Sequence, residues 1–317
     1  MASQTANIVV IGSANMDLVL PVERLARAGE TIPGGDLAMF AGGKGANQAC
    51  SAARLRGRVA MIGQVGNDAF GARLIASLQE ASVDTTQIGI SARPTGCACI
   101  CVLPGGENSI IISPGANAEV VPESTLPNLD CLSAGAFLLS QLEIPLATVE
   151  ASFAKAKAMG ATTILDPAPV RPLSPALLKN VDFLTPNQSE AAALLNDPDL
   201  QIADYDEAER VAARLAELGP AIVLKLGGLG CFVHVGQVRS AVEGFQVPAV
   251  DTTAAGDVFN GAFAVALAEG KPLLEAARFA NAAAAISVTR SGAQTSIPSR
   301  NEVDDFITRA STGVVRP

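Results

Sequence analysis

The stretch Asp251-Thr-Thr-Ala-Ala-Gly-Asp257 joins a strand-like run at residues 245–250 to an Ala-rich helical pattern that begins at Val258. The three small residues before Asp257 allow backbone N–H groups to crowd a ligand where the helix begins. A helix N-terminus carries unpaired donors and a partial positive charge, so it suits an anion. Asp257 falls in the first turn, where a carboxylate suits proton abstraction from a hydroxyl that attacks a phosphate. The alternative is an ordinary helix that an Asp caps.

Length, composition and charge limit the size of the protein and the partners that it can be expected to bind. The 317 residues suffice for one large domain or two smaller ones, and 49% of them are hydrophobic. The formal net charge is −9 and no basic run is present, so nucleic acid is not an expected partner. Residues 1–7 are polar, and the apolar run after them is too short for a signal peptide or a membrane span. We therefore expect a cytoplasmic protein.

The chain has few histidine and cysteine residues that are suited to catalysis or to metal binding. The single histidine, His234, lies in an alternating strand-like run and is expected to be structural. Cys97, Cys99 and Cys101 alternate along another such run, but their spacing is not that of a zinc site, so reduced, half-buried thiols are expected. Catalysis must then use carboxylates, backbone amides, lysine and a hard metal ion.

Strand-like runs alternate with helical patterns along the chain, which predicts βα units on a largely parallel sheet. The predicted strands are residues 7–12, 135–142, 162–165, 181–184 and 221–226. The predicted helices are residues 45–55, 69–81, 146–159, 204–218 and 272–290, and residues 311–317 resemble a frayed tail.

Two segments interrupt this alternation. Residues 17–40 contain short strand-like pieces with Pro and Gly, and residues 95–113 alternate around the turn Pro104-Gly-Gly-Glu107, as a hairpin would. Both could project from the α/β body as a small sheet that covers a ligand or pairs with another subunit. The alternative is two ordinary surface loops.

A second motif, Ala41-Gly-Gly-Lys-Gly-Ala-Asn-Gln48, predicts a site for a polyol. Its glycines allow a ligand to lie against the backbone, while Lys44 and Asn47 supply donors. Asn15 and Asp17 are two residues apart, so in an extended chain they face the same way. Each hydroxyl of a polyol both donates and accepts, which these groups can match. Neither a dinucleotide G-x-G-x-x-G motif nor a P-loop is completed in these stretches.

Together these motifs resemble the ribokinase family, the sugar kinases of the phosphofructokinase-B superfamily, over nearly the whole chain and in the same order. The resemblance implies a single kinase domain over residues 1–317, a three-layer α/β sandwich with a mostly parallel central sheet and a small β-sheet lid. It implies ATP-dependent phosphorylation of D-ribose at O5, with Mg²⁺ accompanying ATP. It also implies activation by K⁺ and a homodimer formed through the lids.

The resemblance implies functional roles for individual residues of this chain. Asp257 is the expected base, and the anion hole is formed by Ala254, Ala255 and Gly256. The expected sugar-binding residues are Asn15, Asp17, Gly43, Lys44, Asn47, Glu143 and Asp257. The expected ATP-binding residues are Asn187, Lys225, Leu226, Gly227, Gly228, Leu229, Gly230, Gly256, Asp257 and Asn281. Asn187 and Glu190 are expected to hold magnesium through water, and the potassium loop is expected to comprise Asp251, Thr253, Ser287, Arg290, Gly292 and Ser296.

Two alternatives remain open at this point. One is a kinase of the same superfamily with another substrate, such as deoxyribose or a nucleoside. The other is a non-catalytic sugar sensor that keeps the fold, although such a protein would be expected to lose the base or the anion cradle.

Overall fold

The fold is built on thirteen strands within residues 6–311, the part of the chain that the computed structural model describes. In chain order the strands are β1 (Ala6–Ile11), β2 (Asn15–Pro21), β3 (Ala38–Gly42), β4 (Val59–Gly66), β5 (Asp84–Ser91), β6 (Gly96–Val102), β7 (Asn108–Ser113), β8 (Leu132–Ser140), β9 (Thr162–Leu165), β10 (Phe183–Leu184), β11 (Ala221–Lys225), β12 (Gly230–Val235) and β13 (Val238–Glu243).

Nine of these strands form one mostly parallel sheet in the order β13-β12-β11-β10-β9-β8-β1-β4-β5. Only the pairs β11–β12 and β12–β13 are antiparallel. The chain runs from β1 to β4 on one side and returns to β8 on the other, so the strand order reverses at β1. Ligands of open α/β sheets bind at the carboxyl ends of the strands at such a reversal.

Helices cover both faces of this sheet. They are α1 (Lys44–Arg54), α2 (Ala69–Glu80), α3 (Pro122–Thr125), α4 (Leu146–Ala158), α5 (Pro175–Leu178), α6 (Gln188–Leu194), α7 (Tyr205–Ala216), α8 (Ala255–Ala268), α9 (Leu273–Ser287) and α10 (Arg300–Ser311). Successive side chains of β1 point to opposite faces: Ile8 and Val10 join a core with α1, α2, α8 and α9, whereas Val9 and Ile11 join one with α4 and α7. This arrangement confirms the predicted three-layer sandwich.

The remaining four strands form a second, smaller sheet in the order β3-β2-β6-β7, which we call the lid sheet. It contains both segments that interrupt the βα alternation, and its hairpin closes where Leu103 donates to the carbonyl of Glu107 at 2.8 Å. β2 and β6 are parallel, with Asp17 opposite Ala98, so residues paired across these strands share a face. The prediction of a small projecting sheet is therefore confirmed.

The strand-like run at residues 245–250 does not form a strand. β13 ends at Glu243, and the segment leaves the sheet. Pro248 has no N–H to offer a neighbouring strand, and the N–H groups of Val250 and Asp251 both donate to the carbonyl of Val288 in the loop after α9. The apolar side chains of this segment line a cavity instead of packing within the sheet.

The chain ends differ from the sequence prediction in one respect. Ser311 closes the helix α10, which the sequence did not predict, and the remainder of the expected tail, residues 312–317, lies outside the described residues. Strands β4 and β5 were also not predicted. Among the described helices none is long and apolar enough to cross a membrane.

Candidate active site

The candidate site lies where the carboxyl ends of β1, β8 and β9 meet the N-terminus of α8. Gly12 to Asn15 follow β1, Glu143 follows β8, and Asp166 follows β9. α1 begins beside them at Lys44 and brings the second motif to the same place. Side chains that are far apart in the sequence are thereby collected at the reversal of the strand order.

The start of α8 has the form of an anion cradle. Ala254 precedes the helix in a left-handed conformation, with φ 63° and ψ 8°, and no side chain caps the helix. Within residues 6–311 the backbone N–H groups of Gly256 and Asp257 have no hydrogen-bond acceptor. These donors and the positive end of the helix dipole point at the same space, so the cradle can stabilise the oxygens of a phosphoryl group.

Asp257 is buried, with 4% of its surface exposed, and it does not cap the helix. Its two carboxylate oxygens accept hydrogen bonds from the side-chain amides of Asn47, at 3.0 Å, and Gln48, at 3.1 Å. Burial raises its pKa from 3.8 to about 6, against the opposing effect of Lys44 and with a smaller contribution from Asp166. A carboxylate with a pKa near neutrality is suited to act as a general base.

A cluster of polar groups faces Asp257 from the side of β1 and β8. Glu143 accepts hydrogen bonds from the hydroxyl of Ser13 at 2.5 Å and from the backbone N–H of Lys44 at 3.1 Å, with the amide of Asn15 at 3.4 Å. Gly43 has φ 88°, and a β-carbon there would lie 2.6 Å from the backbone nitrogen of Asn15, so only glycine fits. Alternating donors and acceptors in one pocket are what a polyol requires.

Asp17 and Lys44 complete this cluster with opposite charges. Burial raises the pKa of Asp17 from 3.8 to about 7, and the nearby charges of Glu143 and Asp257 act in the same direction. For Lys44 burial lowers the pKa, but the surrounding carboxylates, with Asp257 and Asp166 foremost, outweigh burial and raise it above its ordinary value. Lys44 therefore stays protonated in the middle of a group of carboxylates.

A cavity of about 260 Å³ opens on the other side of the cradle. Six of the expected ATP-binding residues line it: Lys225, Gly227, Gly228, Gly230, Gly256 and Asn281. The side chain of Leu226 is buried in the core between the sheet and α4 to α7, and Leu229 packs against that core. The amide of Asn281 donates to the carbonyl of Val242 at 2.9 Å and so ties α9 to β13.

Sequence reasoning missed the apolar wall of this cavity and two polar residues beside the base. The wall includes Phe245, Val247 and Phe259. Asp166, directly after β9, forms an ion pair with Lys225, and Gln48 connects Asp166 to Asp257. The signal for Asp166 was available, because a carboxylate that directly follows a buried parallel strand lies at the edge where such sites form.

The two groups expected at cation sites present oxygen ligands. Asn187 caps α6 by accepting from the N–H of Glu190, whose carboxylate in turn accepts from the N–H of Asn187 at 2.8 Å and from its side-chain amide at 2.9 Å. Because these bonds hold both side chains, contact with Mg²⁺ through water fits better than direct coordination. Amide and carboxylate oxygens suit that ion, which usually keeps several of its waters.

The expected potassium loop is assembled from two distant segments. Asp251 accepts from the N–H of Thr253 at 2.9 Å and from the N–H of Gly292 at 2.8 Å, which brings residues 251–253 beside residues 290–296. The guanidinium of Arg290 binds Glu302, so only its carbonyl is left to face a cation. The hydroxyls of Ser287 and Ser296 donate to carbonyls of their own turns and keep an oxygen lone pair. Such a set of carbonyl, hydroxyl and carboxylate oxygens suits a hard cation.

Comparison with known proteins defines the class to which this fold and site belong. Residues 5–300 match the pfkB family of carbohydrate kinases, and the chain belongs to that family. It is 41% identical over 311 residues to the ribokinase of Haemophilus influenzae, with 96% of this chain and 99% of the relative covered.

Solved structures agree with this assignment. The crystal structure of ribokinase from Thermotoga maritima superposes with a TM-score of 0.85 at 40% identity, covering 96% of this chain and 99% of that one. The structure of Arabidopsis thaliana ribokinase complexed with ribose and ATP superposes with a TM-score of 0.88 at 33% identity, with the same coverage. The predicted family and fold class are thereby confirmed.

Proposed function

We propose that this protein is a ribokinase, which transfers the γ-phosphoryl group of ATP to O5 of D-ribose and releases D-ribose 5-phosphate and ADP. The observation that carries the proposal is the position of Asp257, whose buried carboxylate lies between the polar cluster around Glu143 and the cavity lined by Lys225 and Gly256. The relatives and structural neighbours support the choice of substrates.

In the reaction Asp257 takes the proton from the O5 hydroxyl of the sugar. The O5 oxygen forms a bond to the γ-phosphorus while the bond from that phosphorus to the bridging oxygen breaks and its electron pair leaves with ADP. The N–H groups of Gly256 and Asp257 stabilise the charge on the oxygens of the transferred group. Positioning and charge neutralisation supply most of the acceleration in phosphoryl transfer, so no covalent intermediate is needed.

The polar cluster holds the sugar in this scheme. Asn15, Asp17, Lys44, Asn47 and Glu143 offer both donors and acceptors to the hydroxyl groups of ribose. A site that pairs hydroxyls in this way discriminates against analogues that lack one of them, because its own buried polar groups then lose their partners. We infer that 2-deoxyribose is a poorer substrate than ribose.

Two cations belong to the proposal. Mg²⁺, when bound with ATP, neutralises phosphate charge, and the residues that face it are Asn187 and Glu190. K⁺, when bound by the loop around Asp251 and Gly292, would keep the segment before the cradle in place. The lid sheet would exclude water from the site. The same sheet would pair two subunits in a dimer. A cytoplasmic location agrees with the use of ATP as the phosphoryl donor.

The proposal is tested by measuring turnover with ATP and a panel of acceptors: D-ribose, 2-deoxy-D-ribose, D-fructose and adenosine. We expect the highest kcat/KM with D-ribose, and ³¹P–¹H correlation in the NMR spectrum of the product to place the phosphate on C5. Preference for adenosine or deoxyribose would replace ribose as the substrate. Sugar binding without any turnover would identify a sensor.

A further inference from the structure

Lys225 and Asp166 form a buried ion pair that the mechanism above does not use. The ammonium nitrogen of Lys225 lies 2.9 Å from one carboxylate oxygen of Asp166, and their side chains are only 10% and 3% exposed. Removing two charges from water is costly, so a pair buried this deeply is weak evidence for stability. The position of this ion pair in the site, rather than a contribution to stability, therefore indicates its role.

The ammonium group of Lys225 lies at the junction between the cavity and the anion cradle. Lys225 ends β11, and its side chain lines the cavity together with Gly227 and Gly256. A β-carbon on Gly256 would stand 3.2 Å from the ammonium nitrogen. The positive charge is therefore in contact with the first turn of α8, beside the unpaired N–H groups.

The other oxygen of Asp166 is connected to the base. It accepts from the side-chain amide nitrogen of Gln48 at 3.0 Å, and the same nitrogen donates to Asp257 at 3.1 Å. The orientation of this amide is fixed because its oxygen accepts from Gln141 at 2.6 Å. Three contacts thus link the ammonium group on the cavity side to the carboxylate on the sugar side.

We propose that Asp166 is a positioning residue of phosphoryl transfer, which holds the ammonium of Lys225 against the leaving phosphate and, through Gln48, fixes the carboxylate of Asp257 against the sugar hydroxyl. This inference rests on the proposed function. As the bond to the bridging oxygen breaks, negative charge grows on the phosphate of ADP, and a fixed ammonium group stabilises it without giving up a proton. The proton of the attacking hydroxyl goes to Asp257 alone.

The test begins with Asp166→Asn and Lys225→Gln. We expect Lys225→Gln to lower kcat about 10²-fold and Asp166→Asn to lower it about tenfold. The Kd for ribose, measured by calorimetry, should stay within about twofold in both, because neither side chain lies in the polar cluster. Since Asp166 acts partly through Lys225, the loss of kcat in the double variant should be smaller than the product of the two single losses. Additive losses would show that the two residues act separately and would overturn the proposal.

The pH dependence of kcat distinguishes a positioning role of Asp166 from a merely structural one. Asp257 is surrounded by Lys44, Asp166 and Asp17 as charged groups, and by the amides of Asn47 and Gln48. Asp166 is one of the causes that raise the pKa of Asp257. Asp166→Asn should therefore move the acid limb of the kcat profile to lower pH. An unshifted limb, together with wild-type kcat, would contradict the positioning role.

Asp130→Asn is the matched control. Asp130 also lies 2.9 Å from a lysine ammonium, that of Lys155, but its side chain is 79% exposed at the surface. The same substitution there should leave kcat, KM and the pH profile unchanged. If Asp166→Asn alone proves unstable, the double variant, which leaves no buried charge unpaired, provides the kinetic comparison with Lys225→Gln.

These outcomes separate the two proposals. A wild-type protein that phosphorylates ribose, together with an Asp166→Asn variant indistinguishable from it, overturns the positioning role and leaves the ribokinase assignment intact. A wild-type protein that prefers another acceptor changes the substrate, and the same variants are then compared on that acceptor. A wild-type protein that turns over no acceptor overturns both.

Discussion

At the residue scale, the site depends on carboxylates whose ionisation the fold has shifted. Asp257 and Asp17 are both Asp side chains within one pocket, yet each has its own set of neighbours. Asp257 is stabilised in its charged form by two amides and Lys44, whereas Asp17 has Glu143 and Asp257 as like charges. The same residue type can thus serve as a base at one position and as a sugar ligand at the other.

Asp257→Asn should lower kcat by about 10²- to 10⁴-fold, the range that general-base catalysis contributes. Ribose binding should survive, because Asn15, Lys44 and Glu143 remain in place. Kinetic assay and calorimetry measure the two effects. The control is Asp204→Asn, since Asp204 begins α7 as an N-cap and Asn caps equally well. Near-normal turnover of Asp257→Asn would remove the assignment of the base.

Asp17→Asn should change stability in a pH-dependent way. The pKa of Asp17 is raised to about 7 in the folded protein, from 3.8. A group with a raised folded pKa contributes stability that is fully present below pH 4 and is lost as the pH rises to 7. Asn cannot ionise, so the Tm of the variant minus that of the wild type should increase between pH 4 and pH 8.

Thermal melts at four pH values in the absence of sugar measure this difference. Asp36→Asn, a substitution of the same type at an exposed residue of the segment between β2 and β3, should show a difference that does not vary with pH. A constant difference for Asp17→Asn as well would mean that Asp17 is not destabilised by burial. Ribose affinity should fall in Asp17→Asn at every pH tested.

At the element scale, the N-terminus of α8 and its flanking loop decide the geometry of the cradle. The turn before the helix requires a left-handed residue, and this chain has Ala254 there rather than glycine. A non-glycine residue in that region is strained, and strain of this kind is found at functional sites. The loop through Asp251 ties the same turn to residues 290–296.

Ala254→Gly should raise the free energy of unfolding by about 0.5–1 kcal/mol, because glycine has no β-carbon to strain a left-handed backbone. Chemical denaturation measures the change. The matched control is Ala255→Gly, one residue later, where the backbone is helical and glycine should lower stability instead. Equal destabilisation by both substitutions would refute the strain at Ala254.

Potassium should activate the enzyme, because a cation in the loop around Asp251 would hold the turn that leads to the cradle. Sodium is smaller and should substitute poorly. Initial rates in potassium, sodium and Tris buffers of equal ionic strength measure the effect. The expected order is potassium, then sodium, then Tris, and identical rates in all three would remove the claim.

At the scale of the whole molecule, the lid sheet leaves apolar surface uncovered. β7 is an edge strand, and its residues Ile110, Ile111 and Ile112 are 51%, 72% and 46% exposed. Exposed apolar edges are normally paired or covered, and a second copy can do so by an isologous contact. The same sheet carries Asp17 and Asn15 into the site, so subunit pairing and closure over the sugar would involve one element.

Ile111→Glu should convert the proposed dimer to a monomer, because it places a charge on the lid sheet at an apolar position that does not share a face with Asp17. Light scattering at micromolar concentration measures the mass. Val238→Glu, at an exposed apolar residue at the edge of the large sheet, is the control and should leave the mass unchanged. A wild-type monomer with full activity would refute the dimer.

Much of the secondary structure of this protein follows from local sequence patterns alone. The periodicity of apolar residues predicted most of the main helices and several strands of the large sheet to within a few residues, because burial of one face is a local constraint. The hairpin around residues 104–107 likewise depends on short-range turn chemistry. The motifs that resemble the ribokinase family predicted Glu143 and Lys225 beside the site.

The tertiary structure alone decided which side chains meet and how they ionise. Asp166 and Gln48 are 118 residues apart in the sequence, and only the packing of α1 and α8 against the end of β9 brings both into the network of Asp257. The raised pKa values of Asp17 and Asp257 follow from burial, which no local pattern specifies. Residues 245–250 look like a strand but line a cavity, because membership of a sheet depends on a neighbouring strand that offers its hydrogen bonds. Local chemistry therefore determined the elements, whereas long-range contacts determined the site.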